Sequence, residues 1–331
     1  MREEEEEGTF QFRETAKTQE SVEEGVGQQK VYEKRLPDFI IIGMQKCGTT
    51  ALKYYLEVHP NLLAPDRGEI HFFEKDGNFN KGKDWYISEM PSAGPDSLVF
   101  EKTPDYMAVP IVPKRIFELK PDVKLIVTTC DPVKRAFSNF LHLTSVERPI
   151  DEVAPGVQFV MNSTFDEAIF AALKKSVGEK NAKLIFEKPD EINEEKREEI
   201  RETFTSFASK IWDDNKKFPM PEGLLVKGYY KFLIEKWSQI FPPENILPLN
   251  GTLLSSSPWN ASRQIEDFLE IENFLTEDKF SRIEDTNFYC IKTNRKKRPC
   301  SKPGGKKGRT LETKMSEKAQ YALRVFYHAL S

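Results

Sequence analysis

Residues 39–50, with the sequence Phe-Ile-Ile-Ile-Gly-Met-Gln-Lys-Cys-Gly-Thr-Thr, decide the fold of this 331-residue chain. The apolar run 39–42 predicts a buried strand, and residues 49–58 carry apolar side chains at helical spacing. Gly43 and Gly48 bracket the turn between them. In a strand-turn-helix unit of this kind, backbone N–H groups and the helix N-terminus converge on an anion. The segment therefore predicts a phosphate-binding loop, although an ordinary glycine turn would have the same residues.

The position of Lys46 distinguishes this loop from that of a nucleotide triphosphatase. A triphosphatase loop needs Gly-Lys-Ser/Thr, with the lysine after the second glycine and a hydroxyl group that binds magnesium. Here Lys46 precedes Gly48, and Thr49 follows it. We therefore expect a ligand whose 5′-phosphate is held without a metal.

The rest of the chain alternates between short apolar runs and amphipathic stretches. Buried strands are predicted at 98–100, 124–128 and 245–249. Helices are predicted at 110–119, 133–143, 229–241, 262–269 and 316–330. This alternation predicts an α/β fold, a P-loop-like three-layer sandwich with a central parallel sheet and helices on both of its faces.

The length suits one domain with flanking extensions. Residues 1–35 open with a glutamate run and stay polar, which predicts a disordered acidic tail, and residues 36–331 form the domain. Within it, 149–221 is interpreted as a charged insertion, in which Pro189 opens an exposed amphipathic helix at 190–207. No targeting segment and no apolar run long enough to span a membrane is expected in this sequence.

A basic stretch at 292–309 stands out against the net charge of -4, because it holds nine lysines and arginines and no acidic residue. It predicts an anionic partner. Charge alone does not distinguish a nucleic acid from a sulfated glycan or a nucleotide. The stretch lacks the aromatic spacing of modules that stack on bases, so no nucleic acid is expected.

The cysteines and glycosylation sequons bear on the compartment. Of the four cysteines, Cys290 and Cys300 lie close enough in sequence to form a disulfide. Sequons begin at Asn162, Asn250 and Asn260. Together they favour a lumenal protein.

Residues 42–52, Ile-Gly-Met-Gln-Lys-Cys-Gly-Thr-Thr-Ala-Leu, resemble the loop that binds 3′-phosphoadenosine 5′-phosphosulfate (PAPS) in the heparan sulfate glucosamine sulfotransferases. Further segments are similar to motifs of that family in the same order: Glu69–Glu74, Lys81–Tyr86, Phe100–Tyr106, Asp131–Ser138, Gly228–Tyr230 with Trp237, and Cys290 through Cys300 to Lys307–Thr310. The resemblance covers about 37–330. It implies transfer of a sulfuryl group from PAPS to a glucosamine of a heparan-type polysaccharide.

The resemblance also implies the catalytic residues. Glu69 would remove the acceptor proton as a base, and Lys46 would stabilise charge on the leaving nucleotide. His71 and Glu74 would help to orient the base and the acceptor, and Lys102 would contact the transferred sulfuryl group or the acceptor. Two phenylalanines next to Glu69 in the sequence predict partial desolvation and a raised pKa for its carboxyl. The implied acceptor-binding residues are Glu69, His71, Glu74, Lys102 and Thr103.

The donor site implied by the resemblance is spread along the chain. Its residues are Lys46, Cys47, Gly48, Thr49, Thr50, Cys130, Ser138, Lys307, Gly308, Arg309 and Thr310. A Cys290–Cys300 disulfide would brace the closing loop, and two free thiols are the alternative. Where the 3-O-sulfotransferases have Arg before Asn-Pro, this chain has Cys130-Asp131-Pro132, which predicts weaker donor binding.

The sequence resembles two branches of the family that sulfate different positions of glucosamine. Residues 45–46, 48–51, 69–70 and 250–254 look closer to the N-sulfotransferase domain, whereas His71 and 102–104 look closer to the 3-O-sulfotransferases. Because the N-sulfotransferases are normally fused to a large deacetylase domain, 3-O-sulfation is preferred. We expect a monomeric enzyme of the Golgi lumen or secretory pathway that acts on heparan sulfate. N-sulfation and a non-catalytic heparan-binding protein with a degenerate PAPS site are the alternatives.

Overall fold

A parallel sheet forms the centre of the computed structural model, which describes residues 31–145, 149, 152–284, 288–292 and 314–331. The strands are β1 (Glu33–Lys34), β2 (Phe39–Gly43), β3 (Leu62–Leu63), β4 (Ser92–Ala93), β5 (Leu98–Lys102), β6 (Lys124–Thr129), β7 (Ile246–Asn250), β8 (Phe280–Arg282) and β9 (Tyr289–Ile291). The main sheet has five strands in the order β3-β5-β2-β6-β7, and all its pairings are parallel. Two small antiparallel pairs, β1 with β4 and β8 with β9, lie outside it.

The strand order makes β2 the point where the chain reverses direction across the sheet. Phe39 of β2 lies opposite Phe100 of β5 on one side and Lys124 of β6 on the other. The chain after β2 builds β3 and β5 on one side and then crosses to β6 and β7. In open parallel sheets, ligands bind beyond the carboxyl ends of the strands at such a reversal. The loop after Gly43 occupies that position.

Helices cover both faces of the sheet. The helices are α1 (Thr49–Leu56), α2 (Asp76–Phe79), α3 (Gly82–Ser88), α4 (Val112–Leu119), α5 (Pro132–Thr144), α6 (Pro155–Met161), α7 (Phe165–Glu187), α8 (Glu194–Asp213), α9 (Gly223–Val226), α10 (Tyr230–Ser238), α11 (Leu253–Ser256), α12 (Pro258–Leu269) and α13 (Glu317–Leu330). No helix among the described residues is both long and apolar enough to cross a bilayer.

Alternate residues of β2 enter two separate cores. Phe39 and Ile41 pack with apolar side chains of α1 and α12. Ile40 and Ile42 pack with those of α4, α5, α10 and α13 on the opposite face. This alternation is the geometry of a strand, because successive side chains point to opposite faces. The predicted three-layer α/β fold is confirmed, and β2 begins and ends at the predicted residues.

Residues 149–221 are more closely integrated than an exposed charged insertion would be. They form α6, α7 and α8, and one face of α8 is buried, with Phe204 packed edge-on against Phe326 of α13 at a ring separation of 4.9 Å. The helix predicted at 190–207 begins later, because the Asn193 side chain caps α8 by accepting from the Lys196 backbone N–H at 2.9 Å. Pro189 lies in a preceding 3-10 turn.

The domain starts slightly before the expected boundary at residue 36. Glu33 and Lys34 form β1, inside the stretch predicted to be a tail. Arg35 donates a hydrogen bond to Asp38 at 3.0 Å, just before β2. The compact unit that holds the sheet spans Tyr32–Ser331.

Candidate active site

The loop between β2 and α1 has the geometry of an anion-binding turn. The Met44 N–H donates to the Thr128 carbonyl of β6 at 2.9 Å, and the Cys47 N–H donates to the Met44 carbonyl at 3.0 Å. Gly48 stands at the N-cap of α1 with φ of 84°, and among the described residues no side chain caps this helix. The first-turn N–H groups have no acceptor within the helix, so they are directed at whatever lies beyond its N-terminus. An anionic phosphate fits this arrangement.

Gly48 cannot be replaced freely in that loop. Its positive φ is a conformation that side chains rarely adopt, and a Cβ at this position would lie 2.8 Å from Leu254 Cδ1. Leu254 belongs to α11, which follows the end of β7. The segment after β7 therefore closes over the phosphate loop, and only glycine leaves room for it.

Two of the predicted catalytic residues have left-handed backbone conformations. Lys46 has φ of 77° and His71 has φ of 57°; among the described residues, Asn215 and Glu270 are the other non-glycine positions with positive φ. Such conformations are unfavourable for side chains other than glycine, asparagine and aspartate, and they concentrate at functional sites. Asn215 and Glu270 lie where α8 and α12 end, which is a common place for this conformation, whereas Lys46 and His71 lie in loops of the candidate site.

Glu69 is held between two cations. Its Oε1 accepts a hydrogen bond from Lys102 Nζ at 2.5 Å, and its Oε2 lies 3.4 Å from His71 Nε2. Lys102 ends β5, where it is 4% exposed and in register with Ile41 of β2. The structure thus brings together three residues that the sequence predicted as catalytic, at the carboxyl edge of β5 and next to the strand that carries the phosphate loop.

Glu74 holds the other side of the imidazole. Its Oε1 contacts His71 Nδ1, so the ring lies between two carboxylates. The Asn78 amide donates to the His71 carbonyl at 2.9 Å and fixes the backbone there. The second oxygen of Glu74, Oε2, is buried and has no hydrogen-bond partner among the described residues. The predicted orienting role of Glu74 agrees with this geometry.

The charges of this cluster shift the pKa values of its members. Burial acts to raise the pKa of Glu69, but hydrogen bonds from His71 and Lys102 and the charge of Lys102 outweigh it and lower the pKa to about 2. The raised pKa predicted for Glu69 is therefore wrong, because two cations oppose the desolvation. Hydrogen bonds to Glu69 and Glu74 raise the pKa of His71 to about 9. At neutral pH both carboxylates thus flank an imidazolium ion.

A buried carboxylate, Glu101, was missed by the sequence analysis. The hydroxyls of Tyr86 and Tyr106 each donate to its Oε1 at 2.9 Å, and the Thr103 hydroxyl donates to its Oε2 at 2.8 Å. Burial raises the pKa of Glu101 to about 7, although these three donors act in the opposite direction. The available signal was Glu101 itself, a charged residue directly after the buried strand predicted at 98–100.

Thr103 is hydrogen-bonded inside the protein. Its side chain is fully buried, and its hydroxyl donates to Glu101 while it accepts from the His71 backbone N–H at 3.5 Å. Thr103 therefore links the buried carboxylate to the backbone of His71. That Thr103 binds the acceptor stays a prediction.

Cys47 and Cys130, both predicted to contact the donor, are joined by a disulfide with a Cα–Cα distance of 5.4 Å. From the sequence, a disulfide was predicted only for Cys290 and Cys300. Cys47 is 3% exposed, and the Tyr230 hydroxyl lies 3.3 Å from its sulfur and 3.7 Å from that of Cys130. The disulfide therefore links the phosphate loop covalently to the chain after β6.

The segment after β6 is organised by Asp131. Its carboxylate accepts hydrogen bonds from the backbone N–H groups of Val133 at 2.9 Å and Lys134 at 3.2 Å, so it caps α5. Ser138 lies on the same helix and is partly exposed. The other predicted donor-binding residues Lys307, Gly308, Arg309 and Thr310, and the Cys300 end of the predicted disulfide, lie outside the described residues. Cys290 lies on β9.

A second ion pair at this edge of the sheet was not predicted. Lys227 Nζ donates to Asp105 Oδ1 at 3.2 Å and to Gln45 Oε1 at 3.3 Å. The pKa of Asp105 is lowered chiefly by the charge of Lys227, and Glu69 and His71 also act on it electrostatically. Lys227 therefore connects the phosphate loop to the chain after β5, within electrostatic reach of the candidate base.

A phosphate-binding loop at the reversal point of a parallel sheet, next to a lysine-held carboxylate and an imidazolium ion, defines a group-transfer enzyme that takes a nucleotide donor. Residues 36–320 match the sulfotransferase domain family. The chain belongs to this family and is a sulfotransferase. No group of three or more histidine, cysteine or acidic side chains placed to hold a metal ion occurs in the described part of the chain.

The curated relatives come from two branches of the family. Heparan sulfate glucosamine 3-O-sulfotransferase 5 of Homo sapiens is 27% identical over 296 residues, which cover 89% of this chain and 70% of that protein. Bifunctional heparan sulfate N-deacetylase/N-sulfotransferase 2 of Homo sapiens is 28% identical over 264 residues, which cover 77% of this chain and 24% of that protein. A solved sulfotransferase structure from Alicyclobacillus acidocaldarius matches 76% of this chain and 88% of its own with a TM-score of 0.48 and 21% identity.

Proposed function

We propose that this sulfotransferase transfers a sulfuryl group from PAPS to the 3-hydroxyl of a glucosamine in heparan sulfate. The observation that carries the proposal is the Glu69, His71 and Lys102 cluster beside the phosphate loop. Relatives named for heparan sulfate sulfation, which align along most of this chain, support the acceptor. A monomer is proposed.

The residues of the phosphate loop suit the 5′ end of PAPS. The uncapped first turn of α1 and the positive φ of Gly48 present backbone donors to a phosphate, and Lys46 adds a positive charge. Ser138 of α5 is proposed to contact the 3′-phosphate. The chemistry that PAPS supplies is a sulfuryl group attached to a phosphate leaving group. Lys46 is proposed to stabilise the negative charge that grows on that leaving group.

Glu69 is proposed to accept the proton of the acceptor hydroxyl. With a pKa of about 2 it is fully ionised at neutral pH, but it is a weak base while Lys102 and His71 hold it. Any movement of the Lys102 ammonium from Glu69 towards the transferred group would remove one of the interactions that lower this pKa. Lys102 would then both stabilise the developing charge and release the base. His71, held by Glu74, keeps Glu69 in place throughout.

The same site supports a compartment for the enzyme. A disulfide such as Cys47–Cys130 persists in an oxidising environment and is rare in the cytosol. It supports the proposal that the enzyme belongs to the secretory pathway and acts in the Golgi lumen.

The test is transfer of labelled sulfate from PAPS to heparan sulfate and to its N-desulfated form, followed by disaccharide analysis. We expect label on the 3-hydroxyl of glucosamine. Glu69→Gln should lower the rate at least about 100-fold, the range for loss of a general base. Glu118→Gln, a change at an exposed carboxylate of α4, is the matched control and should keep the wild-type rate.

Other outcomes favour the alternatives. Label on the amine of the N-desulfated polymer would make the chain an N-sulfotransferase, which the resemblance of residues 45–46 and 48–51 to that branch makes the second candidate. Heparin binding without any transfer would overturn the catalytic assignment and leave a heparan-binding protein.

A further inference from the structure

The Cys47–Cys130 disulfide joins the two loops that follow neighbouring strands. Cys47 lies inside the phosphate loop after β2, and Cys130 directly follows β6 and precedes Asp131, the cap of α5. The two strands are parallel neighbours, so these loops emerge side by side at the carboxyl edge. The covalent bond therefore fixes the spacing between the proposed 5′-phosphate loop and the helix that carries Ser138.

The residues on either side of Cys47 in the phosphate loop both have left-handed backbone conformations. Lys46 has φ of 77° and Gly48 has φ of 84°, so the left-handed region is occupied both before and after the cysteine. Glycine adopts this conformation without strain, but lysine does so at a cost that the surroundings must offset. A covalent link at the residue between them is placed to offset that cost.

The sulfur atoms lie in a packed setting. Cys47 is almost fully buried, whereas Cys130 is partly exposed. The hydroxyl of Tyr230 contacts both sulfurs, and burial raises its pKa to about 12, so it remains a neutral phenol at physiological pH. A dithiol reductant can therefore attack the sulfur of Cys130, which forms a mixed disulfide and releases Cys47 as the first thiol. The second thiol of the reductant then displaces Cys130 and closes the oxidised reductant.

We propose that this disulfide is a positioning element of the donor site. It holds the phosphate loop in the shape that binds the nucleotide, so that breaking it weakens donor binding and leaves acceptor binding unchanged. In the reduction, a dithiol gives two electrons and two protons to the cystine, which yields two cysteine thiols and the oxidised reductant. The inference rests on the proposed function in one respect, which is that PAPS is the donor.

The experiment measures the affinity of the full chain for adenosine 3′,5′-bisphosphate and for heparin at 25 °C by calorimetry. The oxidised wild type is compared with the protein reduced by dithiothreitol and with a Cys47→Ser/Cys130→Ser variant. If the reduced loop adopts the binding shape about a tenth of the time, the dissociation constant for the nucleotide rises about tenfold. The variant should show this rise before any reductant is added, and heparin affinity should stay within about twofold. A further change when the variant is reduced is assigned to the predicted Cys290–Cys300 disulfide, which the variant retains.

Controls separate this role from a general loss of structure. Alkylation and mass measurement establish that the bond between Cys47 and Cys130 is reduced, circular dichroism establishes that the fold persists, and reoxidation should restore nucleotide affinity. Unchanged nucleotide affinity after complete reduction overturns the inference, as does an equal loss of heparin affinity. If the oxidised wild type does not bind the nucleotide, PAPS is not the donor and the disulfide has no positioning role. If it binds the nucleotide but does not transfer sulfate, only the proposed reaction is overturned.

Discussion

His71 lies between two carboxylates, and this position gives it the character of a fixed cation. Hydrogen bonds to Glu69 and Glu74 raise its pKa from the ordinary 6.5 to about 9. For a histidine with a raised pKa in the folded state, the stabilisation is present in full below about pH 6.5 and is lost as the pH rises through about 9. The cluster should therefore be intact throughout the physiological range.

The protonation of His71 should give the transfer rate a pH dependence. The imidazole of His71 should remain protonated at pH 8, and the transfer rate should fall as the pH rises through about 9. NMR titration of the histidine resonances checks the first part, because the chain has four histidines and His71→Asn identifies the resonance. Asparagine is the appropriate replacement because it tolerates the positive φ of this position. A His71 resonance that titrates near pH 6.5 would contradict the bridge.

Lys227 neutralises a carboxylate within electrostatic reach of Glu69 and His71. It pairs with Asp105, whose pKa is sensitive to both Glu69 and His71. An ammonium group only donates hydrogen bonds, so its contact with Gln45 turns the amide oxygen towards Lys227 and leaves the amide NH2 group to donate elsewhere. This pair therefore sets both the local charge and the orientation of the residue that precedes Lys46.

Substitution of Lys227 alone and together with Asp105 should change KM for heparan sulfate differently. We expect Lys227→Met to raise KM for heparan sulfate about tenfold, or about 1.4 kcal/mol, because Asp105 is left unpaired. The double variant Lys227→Met/Asp105→Asn should recover most of that loss, since the carboxylate is then absent. Steady-state kinetics with each substrate varied in turn checks both expectations. Equal KM values for the single and double variants would show that Asp105 is not the cause.

At the scale of single elements, Asp131 stabilises the start of α5 but places a negative charge near the proposed phosphate site. Asp131 caps the helix through two backbone N–H groups. The helix also carries Ser138, the proposed 3′-phosphate contact, about two turns after this cap. The carboxylate of Asp131 occupies the N-terminal end, where the helix dipole favours an anion, and it adds a negative charge to the helix that the phosphate would approach. The charge of the cap and the phosphate therefore compete for this helix.

Two substitutions separate these effects. Asp131→Asn keeps a side-chain acceptor for the cap and removes the charge, so it should tighten binding of adenosine 3′,5′-bisphosphate several-fold with little change in stability. Asp131→Ala removes both and should lower the free energy of unfolding by about 1 kcal/mol. Calorimetry and urea unfolding measure the two quantities. Weaker nucleotide binding by Asp131→Asn would contradict the competition.

The elements that could be predicted from the sequence are those with local signals. β2 and the phosphate loop were identified because an apolar run, two glycines and a helical pattern follow one another within residues 39–58. The start of α8 was placed too early because Pro189 is a strong local signal, whereas the cap at Asn193 depends on a hydrogen bond that composition does not reveal. The Cys47–Cys130 disulfide was missed because its partners are 83 residues apart. The ion pair between Lys227 and Asp105 was missed for the same reason, because the two residues are 122 positions apart in the sequence.

At the scale of the whole molecule, α13 completes the helical layer on one face of the sheet. Its cap, Ser316, donates to Asp166 of α7 at 2.7 Å, and its Tyr327 hydroxyl donates to the Leu225 carbonyl of α9 at 2.9 Å. Phe326 is fully buried against Phe204 of α8. Contacts at both ends of α13 therefore hold the helical layer together.

Removing one ring from that contact should destabilise the domain. Phe326→Ala leaves a cavity among buried rings and should lower the free energy of unfolding by about 3–5 kcal/mol. Arg324→Ala, at an exposed position of the same helix, should cost less than about 0.5 kcal/mol. Urea denaturation of both variants checks this difference. Similar losses would mean that α13 is stabilised by its own helical propensity and little by packing.

The late position of α13 in the sequence has a consequence for protein synthesis. All five strands of the main sheet lie before residue 251, whereas the helix that covers α7 and α8 is translated only after residue 316. At elongation rates of about 5–20 residues per second, the ribosome therefore produces a formed sheet whose neighbouring helices still expose apolar side chains such as Phe204. The nascent chain should bind chaperones most strongly in that interval and release them once residue 330 has left the ribosome.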